Sequence, residues 1–158
     1  MNHPTPTVAV IIPVFNADKY IAETLDSAIK QTYTNIEIIC VDDCSTDNSV
    51  KVIEEYMKKD SRIQLIKLAK NSRTCVARNR GIQESDAHFI LPLDADDKID
   101  PTYIEKALNI MLTKPDVAVV YCKTRYFGAK NESWDLSPYN ARKMVFNNRV
   151  FCCALFRK

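Results

Sequence analysis

The 158-residue sequence predicts an α/β fold: a doubly wound, mostly parallel sheet with helices on both faces. Two observations carry this. Short apolar, β-branched runs alternate with segments whose apolar residues recur at helical spacing, the βαβαβαβαβ order that right-handed crossovers produce. The runs are also apolar at consecutive positions, as strands covered by helices on both faces must be. At this length one domain with one sizeable core is expected over residues 1–158.

The first strand is Val8-Ala-Val-Ile-Ile-Pro-Val14, ending at Phe15-Asn16 at the mouth of a loop. A helix follows, with Asp18 as N-cap and Ile21, Leu25, Ala28 and Ile29 on one face. After the polar turn Thr32-Tyr-Thr-Asn35, Ile36 to Val41 forms the second strand. Ser45-Thr-Asp-Asn48 offers caps for a second helix, whose stripe is Val50, Ile53 and Met57. Ile63 to Ile66 is the third strand, followed by a loop through Asn71 to Thr74 and a helix over about 75–84. His88 to Leu93 is the fourth strand. Asp100-Pro101 then reads as a cap with proline at the first helical position, with Ile104, Ala107, Leu108, Met111 and Leu112 on one face. Val117 to Cys122 is the fifth strand.

Composition narrows the function classes. The longest apolar runs, Val8 to Val14 and Val117 to Cys122, fall far short of the roughly 20 residues a membrane helix needs. Met1 to Thr7 lacks the pattern of a secretory signal, so the expected location is cytoplasmic and the six cysteines are expected as free thiols. None has a Cys-x-x-Cys spacing, and the adjacent Cys152-Cys153 is not a zinc pattern, so cysteine receives no metal role. A net charge of +2 argues against a general nucleic-acid binder. The charge is uneven: 14 Lys/Arg against 18 Asp/Glu over residues 1–122 give −4, and 8 against 2 over 123–158 give +6. The basic end suits anionic lipid heads and peripheral attachment to an inner membrane face, or an anionic acceptor; equally, it reads as a fragment edge whose acidic partners are expected beyond Lys158.

The chemistry is expected in two acidic segments that each end an apolar run. Asp42-Asp43 follows the second strand and Asp94-Ala95-Asp96-Asp97 the fourth. In an extended segment Asp94 and Asp96 face the same way. Two adjacent carboxylates repel, which points to a shared hard divalent cation, Mn²⁺ or Mg²⁺, and a phosphorylated ligand. A solvated acidic turn is the ordinary reading of such a loop taken alone. Ligands of open α/β sheets bind beyond the carboxyl ends of the strands, and Asn16 joins both acidic segments there. With only Gly81 and Gly128 in the chain, no glycine-rich phosphate loop exists. Phosphate must meet a metal, or Arg78 or Arg80.

Ile12-Pro-Val-Phe-Asn16, Gln31-Thr-Tyr, Ile36-Glu-Ile, Val41-Asp-Asp-Cys-Ser-Thr-Asp-Asn48, Ala77-Arg-Asn79 with Gly81, and Leu93-Asp-Ala-Asp-Asp97 together resemble the glycosyltransferase family 2 pattern, over roughly residues 7 to 125. The resemblance implies a GT-A fold, a nucleotide-sugar donor (most often UDP-linked), Mn²⁺ or Mg²⁺, and inverting transfer to the hydroxyl of a saccharide or lipid-linked acceptor. Carried across, Pro13, Val14, Phe15 and Asn16 line the nucleoside pocket. Asp43 accepts a hydrogen bond from the base with Asp42 beside it. Asp94, Ala95 and Asp96 form the Asp-x-Asp motif, with Asp94 near the ribose and Asp96 on the metal. Arg78 matches a motif position among the nucleotide contacts.

Three departures stand out. Family members supply a general base well downstream of the Asp-x-Asp motif, whereas the last acidic residue here is Asp135. The base is therefore expected beyond Lys158, with residues 126–158 as the incomplete start of an acceptor-side region. The alternative is a donor-binding module that completes no transfer. Cys44 and Ser72-Arg73 stand where the family commonly has glycine, so those loops are expected to take another path; Cys44 is read first as a small apolar residue packed under its loop, and alternatively as a thiol near the base pocket whose alkylation UDP would slow. Finally, the apolar tail Val145 to Phe156 is expected to be exposed and to drive homodimerisation. A sugar nucleotidyltransferase would show a glycine-rich basic loop after strand one. A signalling receiver would place its acidic pair there. Neither fits.

Overall fold

The computed structural model describes residues 7–128, 130–134 and 152–158. Strands β1 (Val8–Val14), β2 (Ile36–Asp42), β3 (Ile63–Lys67) and β4 (Phe89–Pro92) alternate with helices α1 (Ile21–Ile29), α2 (Ser49–Met57), α3 (Thr74–Glu84) and α4 (Tyr103–Thr113). Short strands β5 (Val119–Val120), β6 (Thr124–Arg125), β7 (Ser133–Trp134) and β8 (Leu155–Arg157) follow. The main sheet runs β3-β2-β1-β4-β8-β5, and β6 and β7 form a separate antiparallel hairpin. β1 pairs in parallel with β2 and β4, and β2 with β3.

Every residue of β1 is buried, because successive side chains enter opposite cores. Val8, Val10, Ile12 and Val14 pack with α1, α2 and α4. Ala9 and Ile11 pack on the other face with Ala77 of α3. Gly81 lets α3 lie close to the sheet: a Cβ there would stand 2.7 Å from Ile11 Cγ2 and 3.1 Å from Val41 Cγ2.

The far edge departs from the expected topology. β8 lies antiparallel between β4 and β5, pairing Phe89 with Arg157 and Val119 with Phe156. The β4–α4–β5 crossover leaves a slot one strand wide, and the tail fills it. Val117–Cys122 therefore contributes only two paired residues. Cys153, Ala154 and Leu155 are buried, which removes this end of the tail as an exposed dimer surface. Val145–Phe151 and Asp135 lie outside the described residues.

Helix starts also shift. α1 begins at Ile21 after Tyr20, with no side-chain cap. Asp18 bridges loops instead, its N–H donating to Asp47 Oδ2 at 3.0 Å. Asp100 caps a lead-in turn, accepting from Thr102 N–H at 3.0 Å, so α4 begins at Tyr103 rather than at proline. Among the described residues no helix is long and apolar enough to cross a membrane. All six cysteines are unpaired thiols.

Candidate functional site

Four loops meet beyond the carboxyl ends of β1 to β4, stitched together by side chains the sequence supplies at their tips. Asn16 donates its N–H to Ser45 Oγ at 3.0 Å and accepts from Thr46 N–H at 2.8 Å. Ala17 N–H donates to Ser49 Oγ at 2.8 Å. Burial pushes the Asp47 carboxyl up, but the Ser49 hydroxyl and the backbone N–H groups of Asp18 and Ser49 hold it below the usual carboxylate range. Gln31, buried in the core, donates to Asp100 O at 2.8 Å and accepts from Ile104 N–H at 3.1 Å. It thereby ties the end of α1 to the turn that leads into α4. Thr24 Oγ1 donates to Ala95 O at 2.8 Å and fixes the acidic tetrad from below.

The tetrad itself is a turn. β4 ends at Pro92, and Asp97 N–H donates to Asp94 O at 3.0 Å, so strand pleating does not align Asp94 with Asp96 as the sequence suggested. Both still line the same two cavities. The first, of about 380 Å³, is bounded by Pro13, Phe15, Asn16, Ala17, Tyr20, Thr74, Asp94, Ala95 and Asp96. The second, of about 530 Å³, adds Asp97 and Cys152 and an aromatic wall of Tyr126 and Phe127. Tyr126 stacks on Trp134 with ring centroids 6.1 Å apart. Lys98 pairs with Glu23 at 2.7 Å and lies 4.3 Å from the centre of the Phe127 ring.

Not all expected residues converge. Pro13, Phe15, Asn16, Asp94, Ala95 and Asp96 share the first cavity, whereas the Val14 side chain is in the core. Val14 contributes its carbonyl, which accepts from Asp43 N–H at 2.8 Å. Asp42 and Asp43 are buried. Asp42 accepts from Ser45 N–H at 3.2 Å. Asp43 takes Ser72 N–H at 2.6 Å on one oxygen and Arg73 N–H at 2.7 Å on the other. Arg78 Nη2 forms an ion pair with Asp94 Oδ1 at 2.7 Å, leaving its buried Nε without a partner among the described residues. Tyr20 and Thr74 line the first cavity without having been anticipated. Both lie in segments of no regular periodicity, one ahead of α1 and the other opening α3.

The two loops expected to avoid left-handed backbone adopt it. Cys44 has φ 64°, and Arg73 has φ 75° with ψ 158°, a region reached almost only by glycine. The Asp43 carboxylate holds Arg73 there through charge-assisted bonds from the N–H groups of Arg73 itself and of Ser72. Cys44 is half-buried, and its thiol donates to Leu68 O at 3.1 Å. It does not line the first cavity.

Asp94 and Asp96 supply hard oxygen donors to both cavities. Asp94 keeps one oxygen clear of Arg78, and Asp96 is exposed and makes no hydrogen bond or ion pair with other described residues. This donor set fits Mn²⁺ or Mg²⁺. Asp97 differs: burial first, then the neighbouring Asp94 and Asp96 charges, push its carboxyl up.

The pattern of glycosyl transferase family 2 matches residues 9–157. TuaG of Bacillus subtilis (strain 168), a glycosyltransferase assigned to teichuronic acid biosynthesis, is 38% identical over 109 residues, covering 69% of this chain and 43% of TuaG. S. aureus TarS 1–349, solved in complex with UDP, superposes with TM-score 0.80 at 25% identity, covering 96% of this chain and 46% of that one. The mannosyltransferase PcManGT from Pyrobaculum calidifontis, solved with GDP-Man and Mn²⁺, shares the fold with TM-score 0.69 at 24% identity, covering 74% of this chain and 35% of that one. The chain thus spans less than half the length of these proteins.

Proposed function

The chain belongs to glycosyl transferase family 2, and from that premise we propose that it forms the donor half of an enzyme transferring a sugar from a UDP-linked donor to an acceptor hydroxyl with inversion. The fold is GT-A, and the observation that carries the reading is the first cavity, which sets Asp94 and Asp96 against Pro13, Phe15 and Asn16 at the strand ends. We take residues 7–125 as the nucleotide-sugar core of one domain and 126–158 as the start of the acceptor side.

Phe15, half exposed, gives the nucleoside an apolar wall. Asp42 and Asp43 shape that wall by holding their loops, and each Asp43 oxygen keeps a lone pair for the base edge. Arg78 orients Asp94 and brings positive charge beside the diphosphate. Asp94 and Asp96 would hold Mn²⁺ or Mg²⁺, which when bound neutralises charge growing on the departing nucleoside diphosphate. Tyr126 and Phe127 offer the flat apolar face that a saccharide acceptor, free or lipid-linked, requires. We assign no described residue of this chain as the general base. The basic stretch 123–158 would bring the acceptor side to the inner face of a membrane. Binding to anionic vesicles that disappears at high salt is the expected result, and salt-independent or absent binding would oppose it.

UDP binding by calorimetry, with Mn²⁺ and with chelator, tests the donor site on the wild-type chain and on Asp96→Ala. Metal-dependent binding lost in the variant is expected. Equal binding in both proteins would remove Asp96 from the site. A donor-binding module without transfer is the second reading, favoured because, among the described residues, the carboxylates lining the two cavities are those of the tetrad. Donor binding with neither transfer nor hydrolysis would select it.

A further inference from the structure

The insertion of β8 brings the adjacent cysteines of the tail onto the acidic tetrad. Cys152 Sγ lies 3.6 Å and Cys153 Sγ 3.8 Å from the same oxygen, Asp97 Oδ2, and the two sulfurs are 3.9 Å apart. Adjacent residues of a strand point to opposite faces, so a local device is needed to aim both thiols one way. It is the tight turn in which Ala154 N–H donates to Cys152 O at 2.9 Å. The Tyr103 hydroxyl anchors the turn by donating to Cys153 O at 2.6 Å.

We propose that Cys152, Cys153 and Asp97 form a site for a thiophilic divalent cation of the Zn²⁺ class, distinct from the hard-cation site at Asp94 and Asp96. The geometry carries it. With Zn–S about 2.3 Å and Zn–O about 2.0 Å, a tetrahedral ion separates two thiolates by about 3.8 Å and a thiolate from a carboxylate oxygen by about 3.5 Å. The three observed edges match one face of that tetrahedron, and the fourth position is left for water or a ligand. Ligand type separates the two sites, because thiolates select Zn²⁺ whereas carboxylates with water suit Mg²⁺ and Mn²⁺. On binding, two S–H bonds break, two metal–sulfur bonds form, and both protons pass to solvent. Access is open: Cys152 lines the 530 Å³ cavity, Cys153 lines a neighbouring one of about 350 Å³, and Asp97 lines both. Asp97 would thereby tie the nucleotide-side turn to the strand that closes the sheet.

The site does not rest on the transferase reading, and its test uses no nucleotide. Cd²⁺, added to the whole chain under reducing conditions, should give a thiolate-to-metal charge-transfer band that saturates at one equivalent. One equivalent of Zn²⁺ should remove the band, and a large excess of Mg²⁺ or Mn²⁺ should not. Asp97→Asn should weaken binding at least about tenfold, the lower end of what even an outer-shell partner contributes. Cys152→Ser, at a half-exposed position, should abolish the one-equivalent band while leaving far-ultraviolet circular dichroism unchanged. The triple variant Cys44→Ser, Cys75→Ser, Cys122→Ser should keep it. No band in the wild-type chain, a band that survives Cys152→Ser, or one lost in the triple variant would each overturn the assignment.

Discussion

An acidic pair follows β2 and an acidic tetrad follows β4, both after apolar strands, yet their carboxylates meet different surroundings. Asp42 and Asp43 are buried and bonded to backbone N–H groups of their own and the next loop. Asp96 projects into open cavity, and Asp94 keeps one oxygen clear of Arg78. The same residue type at the same topological position thus ties loops together at one strand end and stands open to a cavity at the other. Backbone supply makes the difference: the loop after β3 turns two N–H groups towards Asp43, while the β4 turn uses Asp97 N–H internally, on the Asp94 carbonyl.

The contrast is sharpest in stability. Asp43→Ala should cost about 2–4 kcal/mol in urea unfolding, since two part-buried N–H groups lose their acceptor; a loss below about 0.5 kcal/mol would dissolve the distinction. Asp43 also holds Arg73 in strained backbone, so Arg73→Gly in the Asp43→Ala background should recover about 1–2 kcal/mol of that loss. Alone, Arg73→Gly should raise stability by about 1 kcal/mol, relief of strain being partly offset by the freer unfolded chain. Asp96→Ala should change unfolding free energy by less than about 0.5 kcal/mol despite abolishing metal-dependent nucleotide binding. A large stability loss there would make the tetrad scaffold too.

Among the described residues, β1 to β4 and the helices α1, α2 and α4 were legible because their signal is local apolar patterning, and β1 to β4 set the strand ends from which the acidic segments emerge. The fate of residues 152–158 was not legible. Leu155 to Arg157 carry no alternation that distinguishes a sheet strand from an apolar tail, and their place depends on a slot created by the β4–α4–β5 crossover. Cys44 and Arg73 misled for a related reason. Glycine preference is local, whereas the restraint overcoming it at Arg73 is a carboxylate thirty residues away. Which acidic segment opens to a cavity was likewise hidden, since aspartates look alike until backbone donors are placed. Tyr103 shows the same dependence: buried, with its hydroxyl pushed above its ordinary range by that burial, it finds its acceptors on β5 and beside β8.

The pairing of Phe89 with Arg157 and of Ile90 with Phe156 also has a temporal side. A ribosome delivers the chain at roughly 5–20 residues per second, so β1 to β4 and their helices emerge seconds before β8 exists. Throughout that interval β4 is a raw sheet edge, with unpaired N–H and C=O groups open to any passing strand. The nascent protein is most exposed to mispairing where the finished one carries its acidic tetrad. A released chain truncated after residue 125 should bind chaperones strongly, and the chain that includes β8 should not.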